Sequence, residues 1–179
     1  IKIDAETVLY VPQDDRPVSL QYTVDTAREA GMTILTPPQN LISGKNYQGQ
    51  ADQIMAWVEQ NAGRADVMVL STDTLIYGGL VDSRKHNIPL TTLESRLKRI
   101  ESLKARNKNV RIYGFGTVMR SPRASGGGTE PAYYAEYGPT IFQIAALQDK
   151  LDSGSLTQEE TQKLMSLQAS VPVEYLQDW

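Results

Sequence analysis

Short apolar segments alternate with amphipathic helical patterns up to residue 115, and this alternation is the strongest constraint on the fold. The strand-like segments cover residues 7–11, 33–35, 67–70 and 110–115. Between them, apolar residues recur at helical spacing, as at Leu20, Val24 and Ala27. A repeated β-α order predicts an α/β protein with a mostly parallel sheet flanked by helices, because parallel strands need crossover connections. Four strands fit either a Rossmann-like three-layer architecture or the first half of a TIM-like barrel, and we leave both open.

Further signals place helix ends and divide the chain. Thr91-x-x-Glu94 and Thr157-x-x-Glu160 are capping-box patterns, in which side chains satisfy free N–H groups at a helix start. Pro172 is typical of the first turn of a further helix. We expect an α/β core with four parallel strands over 1–120, a polar and aromatic loop over 121–139, and a helical extension over 140–179. We also expect the chain to be truncated from a longer protein.

Composition excludes several classes of protein. The 179 residues are 40% hydrophobic and 22% charged, which is ordinary for a globular domain and disfavours disorder. A net charge of −3 gives no electrostatic basis for binding nucleic acid. No apolar run approaches the ~18 residues of a membrane span. The absence of cysteine excludes disulfides, cysteine-ligated zinc and a cysteine nucleophile.

Ionisable residues follow the strand-like segments, and parallel strands present such residues at one edge, where ligands bind. The first cluster contains Asp14, Asp15 and Arg16. In the functional interpretation the aspartates are catalytic carboxylates and Arg16 is a binding residue that lowers the pKa of its neighbour. In the structural alternative the aspartates cap the following helix and Arg16 pairs with one of them.

The second cluster follows the third strand. Asp73 is the candidate catalytic carboxylate here. Tyr77, Gly78 and Gly79 are candidate binding residues, since glycine lets the backbone approach a ligand closely. The glycine pair is equally consistent with a positive-φ turn. It lacks the glycine spacing of a dinucleotide site and the lysine of a phosphate loop.

Six further residues are candidates for ligand binding. Arginine clusters bind carboxylates, phosphates or sulfates through paired hydrogen bonds. In the structural alternative, which we keep beside the first, the arginines among the six pair with nearby aspartates of the protein. The acidic and aromatic residues of the 121–139 loop are suited to a lid that covers a bound sugar. In the structural alternative, the tyrosines of this loop pack it against the rest of the protein. The six candidates are Ser83, Arg84, Arg120, Arg123, Glu130 and Tyr133.

Histidine and metal chemistry receive little support. His86 is the only histidine, and its charged neighbours indicate a solvated side chain, so a Ser-His-Asp triad is a poor fit. The sequence requires neither a cofactor nor a metal. A metal bound to the aspartates would be a hard cation such as Mg²⁺ or Ca²⁺.

The same motifs resemble the bacterial domain-of-unknown-function family 4127. The segments that carry the resemblance are 11–18, 36–38, 71–84, 119–120, 130–138 and 171–172. The resemblance covers essentially the whole chain and implies that it is the N-terminal portion of a longer protein. It implies no established activity. Some members resemble exported proteins, so localisation stays open between export from a bacterium and the cytoplasm.

Two functional hypotheses follow. The first is a hydrolase-like enzyme that acts on a carbohydrate-like or acidic small substrate through carboxylates, with arginines positioning the substrate. The second is a non-catalytic domain that binds an anionic or sugar ligand. Both take a small polar molecule as partner, together with the missing C-terminal part of the same protein. Neither involves nucleic acid or a membrane span. In a third, structural interpretation the charged loops only neutralise one another.

Overall fold

Residues 6–124 and 128–178 are described by the computed structural model. The chain forms two compact units, and the boundary between them falls between Val118 and Met119. Each unit has its own apolar core. The first unit contains the sheet and the aspartate clusters, so it is the unit that forms the candidate site.

Four parallel strands form the centre of the first unit. They are β1 (Thr7–Val11), β2 (Thr33–Leu35), β3 (Val67–Ser71) and β4 (Arg111–Phe115). Their spatial order is β2-β1-β3-β4. In a barrel of βα units consecutive strands are neighbours, whereas here β1 lies between β2 and β3. The α/β prediction is therefore confirmed, and the open three-layer alternative is the correct one.

Helices α2 (Ala51–Asn61), α3 (Thr72–Tyr77) and α4 (Leu90–Arg106) follow β2 and β3 along the chain. The main core of this unit joins β1 and β3 to α2 and the end of α4. It is made of fully or almost fully buried side chains, including Leu9, Val11, Ile54, Met55, Val58, Met68, Leu70 and Leu103. Because Leu9 and Val11 alternate with Val8 and Tyr10 along the strand, the latter two face the other side of the sheet.

The other face of the sheet is covered less completely. Helix α1 (Gln21–Glu29) lies there, and Val24 is its buried residue. A cavity of about 300 Å³ separates this helix from strand residues that include Val8, Val69 and Tyr113. Tyr113 is 56% exposed, so the β4 side of this face is open to solvent.

The second unit consists of three helices in its described part, α5 (Tyr134–Asp152), α6 (Gln158–Ser170) and α7 (Val173–Asp178). The final six residues of the 121–139 segment are thus helical. Buried Ile141 and Ile144 of α5 pack with Leu164 of α6. Within the described ranges, no helix combines the length and apolarity needed to cross a membrane.

The predicted helix ends had mixed outcomes. The capping box at Thr157 and Glu160 is confirmed: each residue accepts the other's backbone N–H through its side chain. The capping box at Thr91 is wrong, because α4 begins one residue earlier and Pro89 occupies the cap position. The helix predicted after Pro172 is present as α7.

Candidate functional site

The candidate site lies at the carboxyl ends of β1, β3 and β4. The connection that leaves β1 leads to β2 on one side, whereas β3 lies on the other side and leads on to β4. In open α/β sheets such a reversal of direction leaves a crevice between adjacent strand ends, and ligands bind in it. The three segments that meet at this point are 12–16, 71–79 and 116–117.

Asp73 joins all three segments. It follows β3 in the first turn of α3, which Ser71 caps by accepting the backbone N–H of Thr74 at 3.3 Å. Its Oδ2 accepts hydrogen bonds from Gln13 Nε2 at 3.1 Å and from the Thr117 N–H at 3.0 Å. Asp73 is 7% exposed, so this carboxylate is almost entirely buried.

Asp14 is also buried and is engaged by Arg16. Its Oδ2 lies 2.7 Å from Arg16 Nε, and its Oδ1 accepts the Arg16 N–H at 3.3 Å. The proposed pairing of these two residues is therefore present. Capping of the next helix by an aspartate is not, since α1 begins at Gln21 with Leu20 at its cap position. The Arg16 side chain is 54% exposed.

Asp15 is held by the segment that follows β2. Its backbone N–H donates to the Ser43 carbonyl at 2.8 Å, and its carboxylate accepts a hydrogen bond from the Tyr47 hydroxyl. The side chain of Ser43 donates to the Gln13 carbonyl at 3.4 Å. Residues 43–47 therefore pack against the carboxyl edge and contact the 12–16 segment at both Gln13 and Asp15.

The glycine pair provides close contacts within the protein. Gly78 ends α3 with φ +108°, a conformation that favours glycine. A Cβ at Gly79 would lie 1.8 Å from Ser43 Oγ, and one at Gly49 would lie 1.9 Å from the Gly78 carbonyl oxygen. For Gly78, the structure supports the interpretation that this glycine forms a turn with positive φ. Ligand binding by either glycine stays a prediction.

Asp82 lies close to Gly78 and Gly79, and its pKa is raised. Burial raises its pKa, while the hydrogen bond that the Gly49 N–H donates and the nearby charge of Lys85 act in the opposite direction. The Gly49 bond to Asp82 Oδ2 measures 3.2 Å. Asp82 thus links the segment after β2 to the segment after α3.

Of the other candidates in this unit, Tyr77 stacks near His86, with ring centroids 4.7 Å apart. His86 also accepts the Ile88 N–H at 3.3 Å through Nδ1. His86 is half-buried, and one face of its ring packs on Tyr77. Ser83 donates its hydroxyl to the Leu80 carbonyl at 2.8 Å. Arg84 lies in the single 3-10 turn formed by Asp82–Arg84.

Four candidates belong to the second unit. Tyr133 stacks on Tyr175 with ring centroids 4.4 Å apart and nearly parallel planes. Its ring therefore packs within this unit, as the structural alternative expected. The guanidinium of Arg123 lies 5.4 Å from the centre of the Phe142 ring, and Glu130 accepts a hydrogen bond from Thr129. For these residues and for exposed Arg120, ligand binding stays a prediction.

In the parts of the chain that the structure describes, no group of three or more histidine, aspartate or glutamate residues could hold a metal ion. Asp14 and Asp15 instead bind Arg16 and Tyr47. The site's charged groups are therefore engaged mainly with the protein's own donors.

Comparison with known proteins places the chain in a family. The family model described as "Protein of unknown function (DUF4127)" matches residues 8–179. The chain belongs to this family. The resemblance noted from the motifs is thus confirmed over essentially the whole chain. No curated protein and no solved structure matches it.

Several site residues of this family member escaped the sequence analysis. Gln13 lies inside the 11–18 motif beside Asp14 and Asp15. A neutral amide side chain is a weaker sequence signal of a binding site than a charged side chain. Thr117 follows β4, where only the later arginines were considered. Ser43 and Tyr47 follow β2, and no cluster of acidic and basic residues marks the sequence directly after that strand. Applying the carboxyl-edge rule to all four strands would have found Thr117 and Tyr47.

Proposed function

We propose that this chain forms the substrate-binding edge of a hydrolase-like enzyme that acts on a carbohydrate-like or acidic small substrate. The observation that supports this most strongly is the state of Asp73. One of its carboxylate oxygens is fixed by two N–H donors, whereas Oδ1 accepts no hydrogen bond from any described residue. Asp73 lies where the connections from β1 and β3 run in opposite directions across the sheet. A carboxylate that is fixed through one oxygen there and has the other oxygen available suits a group that contacts the substrate.

The three aspartates have different roles in this proposal. Asp73 contacts the substrate and moves a proton. Asp15, which is partly exposed and hydrogen-bonded to Tyr47, is the second carboxylate available for acid/base work. Asp14 is a positioning residue, because both of its oxygens bind Arg16. Carboxylate chemistry is consistent with a chain that has no cysteine and a single histidine packed on Tyr77.

Arg16 supplies the complementary charge. The backbone N–H and Nε of Arg16 donate to Asp14. The two terminal nitrogens of Arg16, Nη1 and Nη2, bind none of the described residues. Those nitrogens present paired N–H donors, which match a carboxylate or phosphate group. This arrangement favours a substrate that carries an acidic group.

A non-catalytic ligand-binding domain is the second candidate. Asp14 and Asp15 both form hydrogen bonds within the protein, and this observation favours it. A binding domain would use Arg16 and Asp73 in the same positions without any proton transfer.

Hydrolysis by the purified protein separates the two candidates. We would assay 4-nitrophenyl glycosides and uronides with the unaltered protein, Asp73→Asn and Asp25→Asn, an exposed aspartate of α1 that serves as control. The proposal expects turnover that Asp73→Asn reduces by about a hundredfold or more, as for loss of a general acid or base. Asp25→Asn should be unaffected. Equal turnover in Asp73→Asn, or ligand binding without any turnover, would contradict the enzyme proposal.

A further inference from the structure

The side-chain amide of Gln13 has a defined orientation. Nε2 lies 3.1 Å from Asp73 Oδ2 and 2.5 Å from Thr117 Oγ1. A carboxylate only accepts hydrogen bonds, so the group facing it must be the amide nitrogen and not the oxygen. Both N–H groups of the amide are thereby engaged, and Oε1 is the atom left to face a ligand.

The backbone of Gln13 is equally well fixed. Its carbonyl oxygen accepts hydrogen bonds from the Leu80 N–H at 3.1 Å and from Ser43 Oγ at 3.4 Å. The Thr74 hydroxyl lies 3.2 Å from the same oxygen and donates mainly to the Pro12 carbonyl, at 2.6 Å. Thr74 and Ser43 are themselves buried. The Gln13 side chain is therefore held at its backbone by these bonds and at its amide nitrogen by Asp73 and Thr117.

Asp73 presents a second oxygen, Oδ1, on the same carboxylate whose Oδ2 binds the Gln13 amide. Among described residues, every fully buried side-chain nitrogen or oxygen has a hydrogen-bond partner. Oδ1 of Asp73 has none, so this atom is in contact with solvent although the residue is 7% exposed. Gly116 lies beside it: a Cβ at Gly116 would lie 3.8 Å from Oδ1 but only 2.6 Å from Thr72 Oγ1, so a side chain there would crowd Thr72.

We infer that Gln13 Oε1 and Asp73 Oδ1 form a pair of hydrogen-bond acceptors that selects a polyhydroxylated ligand, with Gln13 as a specificity-determining residue. This deepens the proposed function and rests on it. Two acceptor oxygens require donors on the ligand, and the hydroxyl groups of a sugar or polyol provide them. A ligand that lacks these donors would displace solvent and leave Asp73 Oδ1 unpaired in a buried position, which is costly.

Two other ligand classes fit the pair less well. An anionic group would be repelled by the Asp73 carboxylate, so an acidic substituent of the ligand belongs at Arg16. A calcium ion needs about six to eight oxygen ligands, and a magnesium ion needs its ligands in octahedral geometry. The described residues contain no cluster of three acidic or histidine side chains to supply them.

Asp73→Asn is the sharpest variant for a test. Its amide oxygen can take the place of Oδ2 and keep the bonds from Gln13 and Thr117, which places the amide nitrogen at the position of Oδ1. The variant therefore exchanges the available acceptor for a donor and keeps the internal hydrogen bonds. Gln13→Leu removes the other acceptor, Thr117→Val removes a group that orients the Gln13 amide, and Asp25→Asn is the control.

Affinity would be measured by saturation-transfer NMR and calorimetry with D-glucuronate, methyl α-D-glucopyranoside and myo-inositol. Acetate and calcium chloride serve as probes without hydroxyl groups. Thermal unfolding would show that each variant is folded. We expect at least one hydroxylated probe to bind and Asp73→Asn and Gln13→Leu each to weaken it about tenfold or more, in line with loss of a hydrogen bond to a buried group. Thr117→Val should weaken it less, and Asp25→Asn should not change it.

Three results would overturn the inference: no hydroxylated probe binds, binding is unchanged in both Asp73→Asn and Gln13→Leu, or calcium binds at Asp73 in preference to the sugars. These failures are distinguishable from failure of the proposed function. Turnover that depends on Asp73 with a substrate lacking hydroxyl groups would retain the enzyme and reject the acceptor pair. Sugar binding that depends on Gln13 and Asp73 without turnover would do the reverse.

Discussion

The carboxylate of Asp73 accepts the backbone N–H of Thr117 at 3.0 Å, so the residue that follows β3 fixes the segment that follows β4. The same oxygen binds the side chain of Gln13, which follows β1. One buried group thus joins three strand ends. This connection makes Asp73 both a structural and a functional residue, and its two roles can be tested separately.

Replacing Asp73 by alanine and by asparagine should separate those roles. Asp73→Ala removes both hydrogen bonds and leaves the Gln13 amide without its buried partner, so we expect a loss of about 1–3 kcal/mol in the free energy of unfolding. Asp73→Asn keeps an acceptor in place and should lose less than about 1 kcal/mol. Urea unfolding measures both. Equal losses in the two variants would show that the internal hydrogen bonds do not account for the effect.

Gly49 should tolerate no side chain. A Cβ there would lie 1.9 Å from the Gly78 carbonyl oxygen, so the backbone of one of the two segments must move. We expect Gly49→Ala to reduce the free energy of unfolding by about 2 kcal/mol or more. Gly63→Ala is the matched control, because a Cβ at Gly63 meets nothing within 4 Å. Similar stabilities of the two variants in denaturant unfolding would contradict the close approach.

Asp82 should make stability depend on pH in the acid range. Burial raises its pKa in the folded protein above the ordinary 3.8, so the folded state binds the proton more tightly. Its contribution to stability is present below the ordinary pKa and is lost as pH rises through the raised folded value. Asp82→Asn keeps an acceptor for the Gly49 N–H and abolishes the titration. Relative to the unaltered protein, this variant should therefore gain stability as pH rises from about 3 to 7. A difference that is flat across a series of urea unfolding curves would reject this account.

The capping box of α6 should matter to the second unit. Thr157 Oγ1 accepts the Glu160 N–H at 3.2 Å, and Glu160 accepts the Thr157 N–H at 3.0 Å. Thr157→Ala should cost about 1 kcal/mol and speed amide hydrogen exchange in the first turns of α6. Glu159→Gln changes the same turn without removing a capping bond and should have little effect. Faster exchange in both variants alike would remove the capping explanation.

The strands could be predicted because buried parallel strands leave near-continuous apolar segments, as at Val67–Leu70. Their order could not, since it depends on which faces the helices cover, and helical periodicity does not specify that. The short helix α3 was also missed: its six residues are too few for a periodic pattern, although Ser71 caps it.

The location of the candidate site followed from the rule that parallel strands share an edge, and it drew attention to Asp14, Asp15 and Asp73. Sequence spacing did not show how those residues are paired. Tyr47 lies 32 positions from Asp15, and Thr117 lies 44 positions from Asp73. Such contacts depend on tertiary packing, so the partners that distinguish the three aspartates emerge only in the folded chain.

The most direct test of the site is to map where a polar ligand binds. In ¹H–¹⁵N spectra of the labelled protein titrated with D-glucuronate, we predict that the largest shifts fall on the backbone amides of Gln13, Arg16, Asp73 and Thr117. Asp73→Asn should move the titration midpoint to a ligand concentration about tenfold higher or more, whereas Asp25→Asn should leave it unchanged. Shifts centred on Thr7, Asp66 and Arg111 at the opposite edge of the sheet, or no shifts at all, would contradict a ligand site at the carboxyl ends of β1, β3 and β4.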